Sequence, residues 1–286
     1  MITEEFLNPE SIVVVGGSDD FQKPGGKVLK NLKDTGYPGK LYVVNPKADN
    51  IQGLTSYRRV EDVPRADVAI LAIPAAFCLH TVEVLCSAKH TKGIIIFSAG
   101  FSEESPEGAQ IEKKIRQVAD QYRATLIGPN CVGYMNEHYA GVFTSPIPRF
   151  VPDSIDLISG SGATALFIID AAVQLGIPFA NVFSVGNSAQ IGVEEVLEYM
   201  DQSYVPGQSA PVKLIYAESI KKPLKLWKHA ASLYRKGARI AAIKAGSSEA
   251  GSRAASSHTG ALASPDTAVN ALFEKAGIIR CNGRNQ

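Results

Sequence analysis

Short apolar runs rich in valine and isoleucine recur along this chain, separated by small-residue turns and amphipathic stretches. Ile12-Val13-Val14-Val15 runs into glycines and then a helical pattern over 26–35. The run 41–44 stops at Asn45-Pro46, 68–73 at Pro74, 94–97 at Ser98-Ala99-Gly100, and 125–127 at Gly128-Pro129-Asn130. A continuous apolar run suits a strand buried on both faces, and strands alternating with helices suit a parallel sheet with helices on both sides. The predicted fold class is therefore α/β, doubly wound.

The segment 144–152 interrupts this rhythm with Pro146, Pro148 and Pro152. Proline fixes φ and supplies no ladder donor, so the segment reads as a linker. The rhythm then restarts, with strands expected at 155–159, 180–184, 212–216 and 239–243. Helices are expected at 163–175, 191–200, 223–234 and 266–276. Two α/β domains follow, residues 1–145 and 146–286, as 286 residues allow.

Composition excludes several function classes. Lys+Arg 29 against Asp+Glu 28 leaves a net charge of +1, with no global electrostatic footprint for nucleic acid or an anionic membrane. Cys78, Cys86, Cys131 and Cys281 show no zinc or disulfide spacing. No apolar run approaches the ~20 residues of a membrane span. A signal peptide is not visible at the N-terminus, so a cytoplasmic protein is expected.

Binding loops in such sheets lie at the carboxyl ends of strands. In the first half, 16–26 is glycine-rich and precedes a helix, where backbone N–H groups can approach a phosphate; a plain tight turn is the competing reading. A dinucleotide site usually carries Asp or Glu after the second strand. Here Asn45-Pro46-Lys47 stands instead, which disfavours NAD and suits a phosphate near Lys47. Cys131 has no histidine near it in sequence and reads as inert. In the second half, GSSEAGSRAASSHTGALAS at 246–264 surrounds His258 with small residues. An accessible imidazole can act as nucleophile or proton carrier. Ser161 and Gly162 open a helix whose N–H groups suit a phosphoryl group, or simply cap it. Glu218 ends a strand, where a carboxylate can orient an imidazole. The remaining histidines form no metal-ligating set.

Together these segments resemble the NDP-forming acyl-CoA synthetases, the superfamily that includes succinyl-CoA synthetase. The likeness is carried by VVNPK at 43–47, SAGFSE at 98–103, IGPNCVG at 127–133, SGSGA at 159–163, SVGN at 184–187, and KAG with GSRAASSHTGALA between 244 and 263. It implies a Rossmann-like CoA-binding domain followed by a flavodoxin-like domain that bears a phosphohistidine. By resemblance, the phosphates of coenzyme A meet Ser18, Gly25 and Gly26, Lys47 sits at the phosphoadenosine end, and the pantetheine arm passes Pro74 and Ser98 towards Asn130. His258 resembles the transiently phosphorylated histidine, with Ser161 and Gly162 cradling its phosphate and Glu218 pairing with the ring. The family's reaction runs from nucleotide triphosphate to phosphohistidine, then acyl phosphate, then thioester.

The nucleotide, ATP or GTP with Mg, normally enters through an ATP-grasp domain. No segment for one is visible here, so an ATP-grasp domain or β-type subunit is expected as partner, a small carboxylic acid as substrate, and an oligomer as the assembled form. The motif wording favours a portion of a longer acyl-CoA synthetase over a short α-type subunit. A ligand-sensing module of a regulatory protein is the alternative, although a sensor has no need of a nucleophilic histidine.

Overall fold

A computed structural model describes residues 1–246 and 266–281. The chain divides into two units, one of residues 1–147 with 187–191, the other of residues 148–186 with 192–286.

In the first unit β1 (Ser11–Val15), β2 (Lys40–Val44), β4 (Leu54–Tyr57), β5 (Val68–Leu71), β6 (Gly93–Ile96) and β7 (Thr125–Ile127) are parallel, and β3 (Asn50–Ile51) adds an antiparallel edge. The order is β3-β4-β2-β1-β5-β6-β7. The strand order reverses at β1, which pairs with β2 on one side and β5 on the other. The crevice beyond β1 and β5 is thus the ligand-binding position this topology favours. Every residue of β1, β5 and β6 is buried, as their unbroken apolar sequence requires.

Helices α3 (Ala75–Ala88) and α4 (Pro106–Gln121) cover one face. Cys78, Val82, Leu85 and Cys86 of α3, with Ile115 and Ala119 of α4, pack on Val13, Val15, Leu71, Ile94, Ile96 and Leu126. Ser105 caps α4 by accepting from Gly108 N at 3.0 Å, with Pro106 opening the first turn. The hairpin β8 (Gly133–Asn136) and β9 (Ala140–Val142) was not expected from sequence. The Asn31 amide of α2 (Pro24–Asp34) donates to the Val142 and Thr144 carbonyls at 2.7 and 2.8 Å. The short α1 (Glu4–Leu7) sets Phe6 against Tyr134, and the Tyr139 hydroxyl donates to the Phe6 carbonyl at 2.8 Å.

The start of α2 packs so tightly on the turn after β1 that glycine is required there. A Cβ on Gly25 would lie 2.0 Å from the Gly16 carbonyl oxygen, and one on Gly26 would lie 2.1 Å from that of Asp20. Both contacts are backbone, which cannot swing aside. Gly25→Ala should therefore destabilise the chain by about 3 kcal/mol, the upper end of overpacking costs, read from the urea midpoint. A midpoint equal to that of the parent would show the turn to be pliable.

In the second unit β10 (Ile155–Ser159), β11 (Asn181–Ser184), β12 (Val212–Ala217), β13 (Arg239–Lys244) and β14 (Ile278–Arg280) run parallel in the order β14-β13-β12-β10-β11. This is the flavodoxin-like order, and its reversal falls between β10 and β12. The helices are α5 (Gly162–Gln174), α6 (Val193–Ser203), α7 (Pro223–Arg235) and α8 (Asp266–Ala276). A buried ion pair joins Lys213 of β12 to Asp156 of β10. Lys213 also donates to the Ala210 carbonyl at 2.8 Å, and Asn181 of β11 donates to Asp156 at 2.8 Å. Among the described residues no helix is long and apolar enough to cross a membrane.

Candidate functional site

In the first unit the predicted residues gather at the carboxyl ends of β1, β2, β5, β6 and β7. Ser18 opens the turn before α2, and its Oγ accepts from Asp20 N at 3.0 Å, which leaves its O–H to donate. Gly25 and Gly26 lie in the first turn of α2. Asn45 stands where an NAD site would carry an acid, and its amide donates to the Gly17 carbonyl at 2.7 Å. Its Oδ1 accepts from Lys47 N at 2.8 Å, so one side chain joins the Lys47 loop to the glycine turn. Arg58 braces the same loop, donating to Pro46 O at 2.7 Å and Asp49 at 2.8 Å. Lys47 is exposed and makes no ion pair among the described residues.

Pro74, Ser98 and Asn130 are linked through the backbone. The Ser98 hydroxyl donates to the Ile73 carbonyl, and the Ser98 carbonyl accepts from Asn130 N at 2.9 Å. Ser98 therefore spends its proton inside the protein and can meet a ligand only as an acceptor. Asn130 sits at φ +55°, a left-handed conformation that asparagine tolerates. Cys131 is buried with its Sγ 3.3 Å from the Ile96 carbonyl, and burial pushes its thiol up to about 12, which suits an inert thiol.

Glu103 organises the same rim, a role the sequence did not suggest. Its Oε1 accepts from Gly100 N at 2.7 Å and Phe101 N at 3.2 Å. The Asn187 amide donates to Glu103 and, at 3.0 Å, to Glu112. Burial would raise the Glu103 carboxyl, but the donors from Asn187, Gly100 and Phe101 outweigh it and hold it below the usual carboxylate value. Gln190 reaches the first sheet as well, accepting from Leu126 N at 2.7 Å. Glu103 and Asn187 stood in the sequence only as the last letters of the motifs SAGFSE and SVGN, with no sign that they pair.

In the second unit the Gly160 turn that leads into Ser161 lies beside Glu218 at the reversal between β10 and β12. Gly160 N donates to the Tyr216 carbonyl at 2.9 Å, and a Cβ on Gly160 would lie 3.6 Å from Glu218 N. Ser161 is the N-cap of α5, its Oγ accepting from Thr164 N at 3.3 Å. Ser159 fixes the turn, its hydroxyl donating to Ser161 O at 2.6 Å. Gly162 begins α5, so its N–H belongs to the positive end of the helix. Lys244 ends β13 opposite Ala217, buried, with Nζ donating to Ala245 O at 2.6 Å. Burial lowers its amine below the usual lysine value, opposed by Asp266 and Glu218. The sequence displayed Lys244 only as the first letter of a motif. His258 lies outside the described residues. Among the described residues no cluster of His, Cys, Asp and Glu could hold a metal.

Comparison with known proteins assigns a domain family to each half of the chain. Residues 10–137 match the family described as "CoA binding domain", and residues 152–286 match "Succinyl-CoA ligase like flavodoxin domain". The chain is thus a tandem of a CoA-binding domain and a succinyl-CoA ligase-like flavodoxin domain. It is 37% identical, over 97% of its length, to the acetate–CoA ligase [ADP-forming] II α subunit of Pyrococcus furiosus, of which it spans 59%. It is 37% identical, over 95% of its length, to an acetate–CoA ligase [ADP-forming] of Methanocaldococcus jannaschii, of which it spans 37%. The dinucleotide-forming acetyl-coenzyme A synthetase 1 of Ca. Korarchaeum cryptofilum, solved with phosphate and ADP, matches 99% of this chain at a TM-score of 0.88 and 30% identity, over 60% of its own length. The chain thus corresponds to the CoA-binding and flavodoxin-like portion of these longer ADP-forming relatives.

Proposed function

We propose that this chain is the CoA-binding and phosphohistidine-bearing portion of an NDP-forming acyl-CoA synthetase. The full reaction joins a small carboxylic acid to CoA as NTP is split to NDP and phosphate. The observation that carries the reading is the coincidence of each motif set with the strand reversal of its own sheet: the glycine turn at β1 and β5, and Ser161 with Glu218 at β10 and β12.

The first unit fits a ligand of CoA chemistry. Lys47 offers an exposed cation without an ion-pair partner among the described residues, and Ser18 offers a free O–H beside the N-terminal end of α2. Pro74, Ser98 and Asn130 continue the rim, where Ser98 Oγ can accept from an amide of the pantetheine arm. CoA supplies the thiol that becomes the thioester. In the second unit His258 takes the phosphoryl group on a ring nitrogen and loses its ring proton, with NDP leaving. The Ser161 N–H is held by Ser159 Oγ at 3.2 Å, so Ser161 offers its hydroxyl and Gly162 its N–H to the phosphoryl oxygens, and Glu218 holds the imidazole in the tautomer that attacks. The phosphoryl group then passes from His258 to the carboxylate, and the CoA thiol displaces phosphate from the acyl phosphate to form the thioester, so two phosphoryl transfers and one acyl transfer replace a single difficult condensation. The nucleotide, ATP or GTP with Mg, comes through an ATP-grasp domain or β-type subunit. That agrees with the share of each longer relative that this chain leaves uncovered.

Lys47→Ala tests the direction in which CoA lies. Loss of one charge-assisted contact should weaken CoA binding about tenfold in low salt and flatten its salt dependence, measured by calorimetry. Unchanged affinity and an unchanged slope would move the phosphate away from Lys47.

A further inference from the structure

The turn that closes the β3/β4 hairpin has an unusual first residue. Gln52 and Gly53 link Ile51 to Leu54 with φ of +50° and +82°. Both central positions are left-handed, as a two-residue hairpin of this twist demands. Asparagine, aspartate or glycine normally fills the first position, because glutamine gains no local hydrogen bond there and carries the steric cost of a Cβ.

Here the side chain is used elsewhere. Gln52 Nε2 donates to the Ser18 carbonyl and the Gly26 carbonyl, each at 2.8 Å. Its backbone N–H donates to Asp19 Oδ1 at 2.6 Å, and its own carbonyl accepts from Lys33 Nζ of α2 at 2.6 Å. One amide therefore ties the beginning of the glycine turn to its end, across eight positions of sequence. It also occupies two carbonyl oxygens whose lone pairs would repel an anion. The C=O and N–H of a trans peptide point in opposite directions, so fixing the Ser18 carbonyl also fixes the aim of Asp19 N–H.

We propose that Gln52 is a positioning residue for phosphate recognition: it clamps the turn at 18–26 in the shape that receives the phosphates of CoA. This rests on the CoA reading above. Gln52 touches no ligand itself. It acts by holding donors in place, and its conformational cost at φ +50° is offset by the hydrogen bonds it makes across the turn.

The test compares Gln52→Asn and Gln52→Gly with the parent chain, using CoA and pantetheine as probes. Asparagine suits the turn but is one methylene too short to reach Ser18 and Gly26; glycine removes the backbone strain and the amide together. Both variants should keep the parent melting temperature, lose about tenfold in CoA affinity, and keep the pantetheine affinity, because two neutral hydrogen bonds of ordinary strength are removed from the phosphate turn alone. CoA affinity unchanged in both variants would overturn the proposal. So would an equal loss for CoA and pantetheine, or a CoA loss that appears only with a collapsed melting temperature. A parent chain that binds pantetheine but gains nothing from the phosphates of CoA would overturn the clamp while leaving an arm site. A parent that binds neither would overturn the CoA reading and the clamp with it.

Discussion

Lys213→Met should lower the unfolding free energy by about 3–5 kcal/mol, the largest stability effect expected of a single substitution in this chain. Lys213 and Asp156 are both almost wholly enclosed, at 2% and 3% side-chain exposure. The amine is satisfied by Asp156 and Ala210 O, and the carboxylate by Lys213 and Asn181 Nδ2. Methionine fills the volume but leaves the carboxylate with only the side-chain amide and backbone N–H of Asn181, and no counter-charge, in an apolar surround. Replacing both partners, Lys213→Met with Asp156→Leu, should recover most of the loss, because the cost lies in the stranded charge and not in the absent pair. The pH dependence has a definite sign. Burial already raises the Asp156 carboxyl in the parent, against the pull of Lys213. Without the amine it rises further, so the folded state takes up a proton that the unfolded state binds only in stronger acid. The deficit of the variant should therefore be full above the raised folded value and shrink as the pH falls through it towards the unfolded value. Urea unfolding at pH 8 and pH 5 reads this directly. A deficit that grows in acid would contradict it.

His258→Ala should abolish phosphorylation of the chain while leaving CoA affinity within about twofold of the parent. The chemistry makes the label recognisable, since a phosphoryl group on an imidazole nitrogen is lost in acid and retained in base. Incubation with γ-labelled ATP, Mg and an ATP-grasp partner subunit, followed by an acid wash, measures it. The same logic separates Glu218 from His258. Glu218→Gln keeps the shape of the side chain beside the Gly160 turn but removes the charge that orients the neutral ring and offsets the positive charge developing on it as the phosphoryl group arrives. It should slow labelling without removing the acceptor. Labelling that survives His258→Ala would place the phosphoryl group on another residue and sink the mechanism.

The fold was legible wherever burial on both faces imposed a continuous apolar run. Ile12 to Val15 and Ile94 to Ile96 are such runs, and both are wholly buried strands. The expected helix at 266–276 coincides with Asp266–Ala276, because an acidic first residue and a glycine after the last mark its ends. The β8/β9 hairpin left no such trace. Its strands are three and four residues long, too short for a period, and are held by Tyr134, Tyr139 and Asn31, not by alternation. At the site, the loops were legible because glycine, proline and asparagine mark strand ends. Their braces were not. Asn45, Gln52, Glu103 and Asn187 act through side-chain bonds to distant backbone or partner groups, which carry no periodic signal. The direction of a hydroxyl was equally hidden: the resemblance puts Ser98 only on the path of the pantetheine arm, and the structure turns its proton onto Ile73 O.

The central claim is that the first unit receives CoA and not a nicotinamide dinucleotide. Calorimetric titration of the full chain with CoA, with NAD as the comparison, tests it without a partner subunit or a known acid. The account predicts saturable binding of CoA, weakened as salt rises, and no heat from NAD. Binding of NAD, or of neither ligand, would contradict it.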